Sequence, residues 1–313
     1  MTDTNDYAKV PSAFCAPILQ VTNADELHLA LQQAQAGQHI QLADGIYTGN
    51  FIINRSGQAS APITIQGSRN AVITGGTLNH GYALHLQADY YIVRGFTVTN
   101  AKKGIMTDAA KHNILEDLRV FHIGEEAIHL RRFSSHNTIM YCEISDTGLL
   151  NPGFGEAIYI GTAKSNWPKY SNGQPDMSDA NRVLYNLFGP DVRAEAIDIK
   201  EGTSDGEIRG NSFNGAGMSG QNAADSWVDL KGNGYAVCDN QGVFSLNDGF
   251  QTHIAIAGWG RNNSFRNNSA ELHSTGYAIR IKLDGKTAAG NIVYSDNRAS
   301  YAAGVSNVPL TQV

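Results

Sequence analysis

The sequence predicts an all-β chain wound as a single-stranded right-handed parallel β-helix, a solenoid closed at its N-terminus by one capping helix. Three observations predict it. A single amphipathic segment precedes a long series of short apolar runs broken by Gly and Asn; an apolar-to-Asn element recurs at a nearly constant step; and a six-residue element of alternating polarity recurs beside it.

The cap comes first. Asn23 is placed to cap a helix and Glu26 to complete a capping box, ahead of Leu27, Leu29, Leu31 and Ala34, with an end near Gly37. The cap therefore occupies about residues 20–37. After it come His39–Leu42, Gly45–Tyr47, Phe51–Ile53 and Ile63–Ile65, short runs of the kind that form strands. With 33 Gly and only 8 Pro, the chain is rich in tight corners without strand breakers.

The first repeat reads Val183-Leu184-Tyr185-Asn186, Ile208-Arg209-Gly210-Asn211, Val237-Cys238-Asp239-Asn240 and Phe265-Arg266-Asn267-Asn268, at steps of 25, 29 and 28 residues. An Asn at a fixed corner suits a left-handed turn and can hydrogen-bond to the coils above and below it. The second repeat reads Glu126-Ala127-Ile128-His129-Leu130-Arg131, then Glu156 to Gly161, Glu195 to Lys200 and Ser226 to Lys231. Phe250 to His253 and Ile279 to Lys282 continue it. The wider gap before Glu195 is filled by a polar loop at about 162–180, which overhangs the face it leaves. All 313 residues are thus assigned to one β-helix domain.

Side chains alternate across a strand, so Ile128/Leu130, Ile158/Ile160, Ile197/Ile199 and Val228/Leu230 must point into the coil. Their neighbours point out. One outer row then holds His129, Tyr159, Asp198, Asp229 and Gln251, and the next holds Arg131, Gly161, Lys200, Lys231, His253 and Lys282. Coils lie about 4.8 Å apart, so such rows suit contacts with successive sugars of an extended polymer. Trp167 and Tyr170, in the overhanging loop, are candidates to stack on those sugars.

The stretch from Glu195 to Phe213, with its Asp198-x-Lys200 pair, resembles the catalytic coil of the alginate lyase and chondroitinase B family of β-helical polysaccharide lyases. The N-terminal runs from Asp25 to Tyr47 and from Pro62 to Ile65 are similar to the opening of that family. The resemblance implies β-elimination on a uronate-containing glycan, with Lys200 as base and Lys231 assisting one coil later. It also implies a calcium ion on Glu195, completed here by Asp198 and Glu156. Arg131, His129, Tyr159, Asp229, His253, Lys282 and Trp167 are then the candidate substrate-binding residues. Two departures stand out: the family's Arg-His-Gly reads Lys231-Gly232-Asn233, and a second calcium-binding acid falls on Arg193.

The chemistry has its own logic. Removing the proton beside a uronate carboxylate adds negative charge to a group already negative, so a cation must neutralise it first. A lysine base must also lose its proton near neutral pH; Lys231 favours that and Asp198 and Asp229 oppose it. Two rivals share the scaffold: an inverting glycoside hydrolase using Asp198 and Asp229, and a non-catalytic, tailspike-like glycan-binding solenoid.

Other classes are disfavoured. A net charge of -6 argues against a nucleic-acid binder, and no run of about 18 apolar residues argues against a membrane span. Cys15, Cys142 and Cys238 form no disulfide framework, and the histidines show no zinc motif. Met1–Tyr7 is polar and lacks a signal-peptide core. The expectation is a monomer acting on an anionic polysaccharide, secreted or extracellular, with a cytoplasmic location as the alternative.

Overall fold

Alternating inward side chains stack the coils into three parallel faces. The structure, a computed structural model, describes residues 18–313; Met1–Tyr7 and Cys15 lie outside the described residues. The first face has eleven parallel strands, from Ile18–Val21 to Ile292–Val293. There Val183 pairs with Ile208, Ile208 with Val237 and Val237 with Phe265, the register of the apolar-to-Asn repeat. The third face carries Ile128–Arg131, Ile158–Ile160, Ile197–Ile199, Val228–Leu230, Phe250–Thr252 and Tyr277–Ile281, again in the register of the second repeat. The second face carries Arg119–Ile123, Glu143–Ile144, Leu187–Phe188 and Ser212–Asn214, and two long strands, Ala71–Leu86 and Thr97–Asp108, run through the corner from it into the third and join the two.

The cap helix runs Ala24–Gln33, and Asn23 caps it by accepting from the Glu26 backbone N–H at 3.0 Å. Glu26 reaches back one residue further than a capping box requires, accepting from the Thr22 N–H at 2.7 Å. The helix stops at Gln33, short of the expected Gly37; that glycine, at φ +82°, instead turns the chain onto His39–Leu42. A strand, Ile18–Val21, precedes the helix and pairs with His39–Leu42, so the start of the region expected to be cap is sheet.

The Asn corners bond to the coils above and below as expected, but the left-handed turn falls elsewhere. The left-handed residue is the one before each Asn: Tyr185, Gly210, Asp239 and Asn267 have φ of 56°, 67°, 60° and 49°. The Asn side chain turns inward. Asn211 Oδ1 accepts from the Asn186 backbone N–H (2.9 Å) and side-chain amide (3.0 Å), while its own Nδ2 donates to Val183 O and Asn240 Oδ1. The ladder continues through Asn240 and Asn268 to Asn297, and a second runs Asn113–Asn137–Asn181. Each rung satisfies backbone groups that a buried corner would leave unpaired.

Between the faces lies one continuous core from Val21 to Val293. Ile128, Ile158, Ile197 and Val228 stack there with no measurable exposure, each contributing about 1.5–3 kcal/mol by leaving water. Near the middle the filling turns aromatic: Trp227 stacks on Phe213 at 5.7 Å and meets Phe250 edge-on at 5.8 Å. Gly242 makes room for that indole, since a Cβ there would sit 2.6 Å from the Trp227 ring. Cys142 and Cys238 are free and buried, and burial pushes the Cys142 thiol up to about 12. No helix among the described residues is long and apolar enough to cross a membrane.

Candidate active site

Pairing along the third face aligns three outward rows. Tyr159 lies beside His129 and Asp198, and Asp198 beside Asp229. Three residues earlier, just before the strands, come Glu126, Glu156 and Glu195; two later come Arg131, Gly161, Lys200 and Lys231. The rows open into a cleft of about 900 Å³, lined by Tyr82, Lys103, Glu126, Glu156, Tyr159 and Lys200 among others, with the loops carrying Phe154, Tyr170 and Asn222 as its banks.

These outward side chains are far from solvated. The Asp198 side chain is only 3% exposed, and that of Lys200 14%. Asp198 takes a lysine on each oxygen: Lys200 on Oδ2, and Lys231 on Oδ1 at 3.0 Å. Lys231 also bonds Asp229, whose other oxygen lies 3.0 Å from His253 Nδ1. Burial pulls the Lys200 amine down, but the Asp198 carboxylate outweighs it and holds the pKa well above the ordinary lysine range. Lys231 is raised in the same way, against the same burial, by Asp198 and Asp229. For Asp229, burial is outweighed by Lys231 and His253, and its carboxyl lies well below the ordinary range. Lys231 and His253 thus hold Asp229 as a carboxylate.

Beside these ion pairs lie two further carboxylates, Glu156 and Glu195, which close on Asp198. Glu156, Glu195 and Asp198, the three residues expected to hold calcium, each bring an oxygen within 4.8 Å of the others. Glu156 Oε2 is buried and has no hydrogen-bond partner. Burial, then the charges of Asp198 and Asp229, push Glu195 up to about 8; burial and the charges of Glu126 and Asp198 raise Glu156 well above the carboxylate range. A buried, mutually repelling, all-oxygen donor set of this kind fits a hard divalent cation.

Several expected substrate contacts have other duties. Trp167 is turned into its own loop, 7% exposed, and donates its indole N–H to Thr162 O at 2.8 Å, so the expected stacking surface is not presented; Tyr170 faces the cleft instead. The loop is short helical turns, Lys164–Asn166 and Trp167–Tyr170, pinned by the buried Asp176 carboxylate, which accepts from the Arg132 and Phe133 backbone N–H groups and the Thr162 hydroxyl. Arg131 lines the cleft but is committed to Asp108, Nε to Oδ1 at 2.7 Å, with its guanidinium 4.1 Å from the centre of the Tyr170 ring. His129 donates Nε2–H to Gly161 O at 3.0 Å and packs on Tyr159 with ring centres 4.3 Å apart. It positions Tyr159. His253 and Lys282 lie outside the main cleft, in a second depression along the same face.

The sequence reading missed Lys103, Glu126, Tyr82 and Asp108. Glu126 opens the same Glu-Ala-Ile element as Glu156 and Glu195, so its row was available. Lys103 bonds Glu126, and Lys102 pairs with Glu125 at 3.3 Å, but the strand bearing both lysines has no such element to align it.

Comparison with known proteins places this arrangement. Residues 18–147 match the family model described as the Pel9A-like, right handed beta helix region. The pectate lyase Pel9A is 14% identical, with a TM-score of 0.69 over 94% of this chain and 79% of that one; tailspike protein 2 of bacteriophage CBA120 is 9% identical, with a TM-score of 0.57 over 90% of this chain and 40% of that one. Both likenesses concern the fold alone. No curated protein matches the chain. The alginate lyase from Paenibacillus sp. str. FPU-7 is 37% identical, with a TM-score of 0.82 over 91% of this chain and 98% of that one. At that identity over nearly the whole of both chains, the protein belongs to the β-helical polysaccharide lyases that include this alginate lyase.

Proposed function

We propose that the chain cleaves a uronate polymer by β-elimination, with alginate as the first substrate to test and Lys200 as the group that takes the proton. One observation carries the reading: a lysine amine, a phenol and a buried carboxylate triad converge on one cleft. Lys200 Nζ lies 4.8 Å from the centre of the Tyr159 ring, and Glu156 lines the same wall.

In the reaction the base removes the proton on C5, the C5–H electrons form the C4–C5 double bond, and the C4–O bond breaks. The leaving oxygen must gain a proton. Tyr159 suits that step, because burial and the charges of Asp198 and Glu156 hold its phenol protonated well above the usual range. Lys200 becomes a base only as Asp198's hold on it weakens, and Lys231, bonded to the other Asp198 oxygen, is placed to take up that charge. A divalent cation on Glu156, Glu195 and Asp198, with calcium the natural fit to an all-oxygen set, would supply positive charge opposite the substrate carboxylate. Asp229 and His253 act from behind, holding Lys231. A polymeric substrate supports action outside the cell.

The test is the product. Elimination creates an unsaturated uronate that absorbs in the ultraviolet, whereas hydrolysis creates new reducing ends without a chromophore. Absorbance rising on alginate, pectate, glucuronan or a glycosaminoglycan supports the reading. Reducing ends without absorbance would reject it.

A further inference from the structure

The basic side chains at the reaction centre share a property that limits what they can bind. Lys103, Arg131, Lys200 and Lys231 are each paired to the protein's own carboxylates. A polyanion entering the cleft therefore finds few free cations where the chemistry occurs. Three coils further along, the balance changes.

There a depression of about 450 Å³ is lined by His253, Arg280, Lys282, Thr252 and Asn307, and no carboxylate lines it. Arg280 is 52% exposed along its side chain and approaches an acid only at 3.9 Å, Asp248 Oδ2. Lys282 has no ion pair among the described residues, and its exposed side chain follows the same outward row as Lys200 and Lys231. The backbone beneath them is fixed. Asn307 clasps Ile281, accepting from its N–H at 2.8 Å and donating to its carbonyl at 3.0 Å, and the Thr252 hydroxyl accepts from the Lys282 N–H at 3.0 Å. Arg280 and Lys282, two apart on one strand edge, thus point to the same side.

We infer that Arg280 and Lys282, with His253 beside them, form a distal carboxylate subsite that holds a uronate of the same polymer roughly three coils, or about 14 Å, from Lys200. This rests on the lyase reading and deepens it. A pyranose ring is comparable in length to one coil step, so the subsite meets a sugar some three rings from the one that reacts. Chains too short to span that distance cannot use it. The enzyme accordingly favours long chains, and the preference weakens as salt screens the exposed pair.

The experiment compares the full chain with Arg280→Ala/Lys282→Ala, whose substitutions lie on the surface, using an oligouronate trimer and an octamer and following ultraviolet absorbance. Wild type should show a higher kcat/KM on the octamer, and the double variant should lose roughly tenfold of that preference, mainly through KM. Octamer binding to each protein in a Lys200→Ala background should weaken to match. A double variant with the wild-type length preference and binding overturns the subsite and leaves the lyase reading standing. No absorbance from wild type on either oligomer overturns both.

Discussion

Replacing Asn211 by Ala tests whether the buried amide ladder holds the coils in register. Asn211 Oδ1 accepts both the backbone N–H and one side-chain hydrogen of Asn186, and its Nδ2 donates to Val183 O. Alanine keeps the Asn211 backbone N–H on Asn240 Oδ1 but leaves the two Asn186 donors unpaired in a fully buried corner. At about 1–3 kcal/mol for each buried orphan, the cost is about 2–6 kcal/mol. With an unfolding entropy of about 2.1 cal/mol/K per residue over 313 residues, that is a fall of about 3–9 °C in the thermal midpoint. Circular dichroism melts would measure it. Activity below the transition should stay at the wild-type level, because Asn211 sits at the far corner from the cleft. A midpoint within about 1 °C of wild type would refute the reasoning, as would lost activity in a folded variant.

Lys200→Ala should lower turnover by about 10²–10⁴ in a protein that still folds, with a somewhat lower melt because the buried Asp198 keeps only Lys231; retained ultraviolet product formation would remove Lys200 as the base. Arg131→Ala should act first on stability, costing about 1–3 kcal/mol because the buried Asp108 keeps only His85 of its two partners, and a variant with a raised KM but an unaltered melt would instead make Arg131 a substrate contact. Glu195 keeps its proton in the fold up to about pH 8 but gives it up near 4.5 when unfolded, so the folded state binds more protons between those values and stability falls as pH rises through that window. Melts in chelator should show this slope, Glu195→Gln should flatten it, and calcium should raise the midpoint more above pH about 8 than below about 5; a flat wild-type profile would contradict the assignment.

Much of the fold was legible because its two repeats are written in residue types with strict geometric demands. The Glu-Ala-Ile elements set the register of the third face, and from it followed the rows bearing Tyr159, Asp198 and Lys200. The rest depended on contacts between coils that no local pattern encodes. Ala71–Leu86 and Thr97–Asp108 run through a corner without a recurring element, so Tyr82, Lys103 and Asp108 could not be aligned with their partners. An aromatic in a polar loop reads the same whether it meets a sugar or its own backbone, and Trp167 took the second course. Acids and lysines were visible as a mixture of charges; that Asp198 would accept a lysine on each oxygen required their side chains in space.

The loop between Ile158–Ile160 and Arg182–Leu184 leaves the ladder undisturbed: Asn137 reaches Asn181 at 2.9 Å across a gap of 44 residues, much as Asn113 reaches Asn137 across 24. Register in this scaffold is thus kept by rungs, and the amount of chain between them is free to vary. Excursions can lengthen on one coil without altering the spacing of any other. Diversification of such a molecule is therefore modular: a lineage can redesign the banks of its cleft, one turn at a time, while the rows that do the chemistry stay on the same ruler.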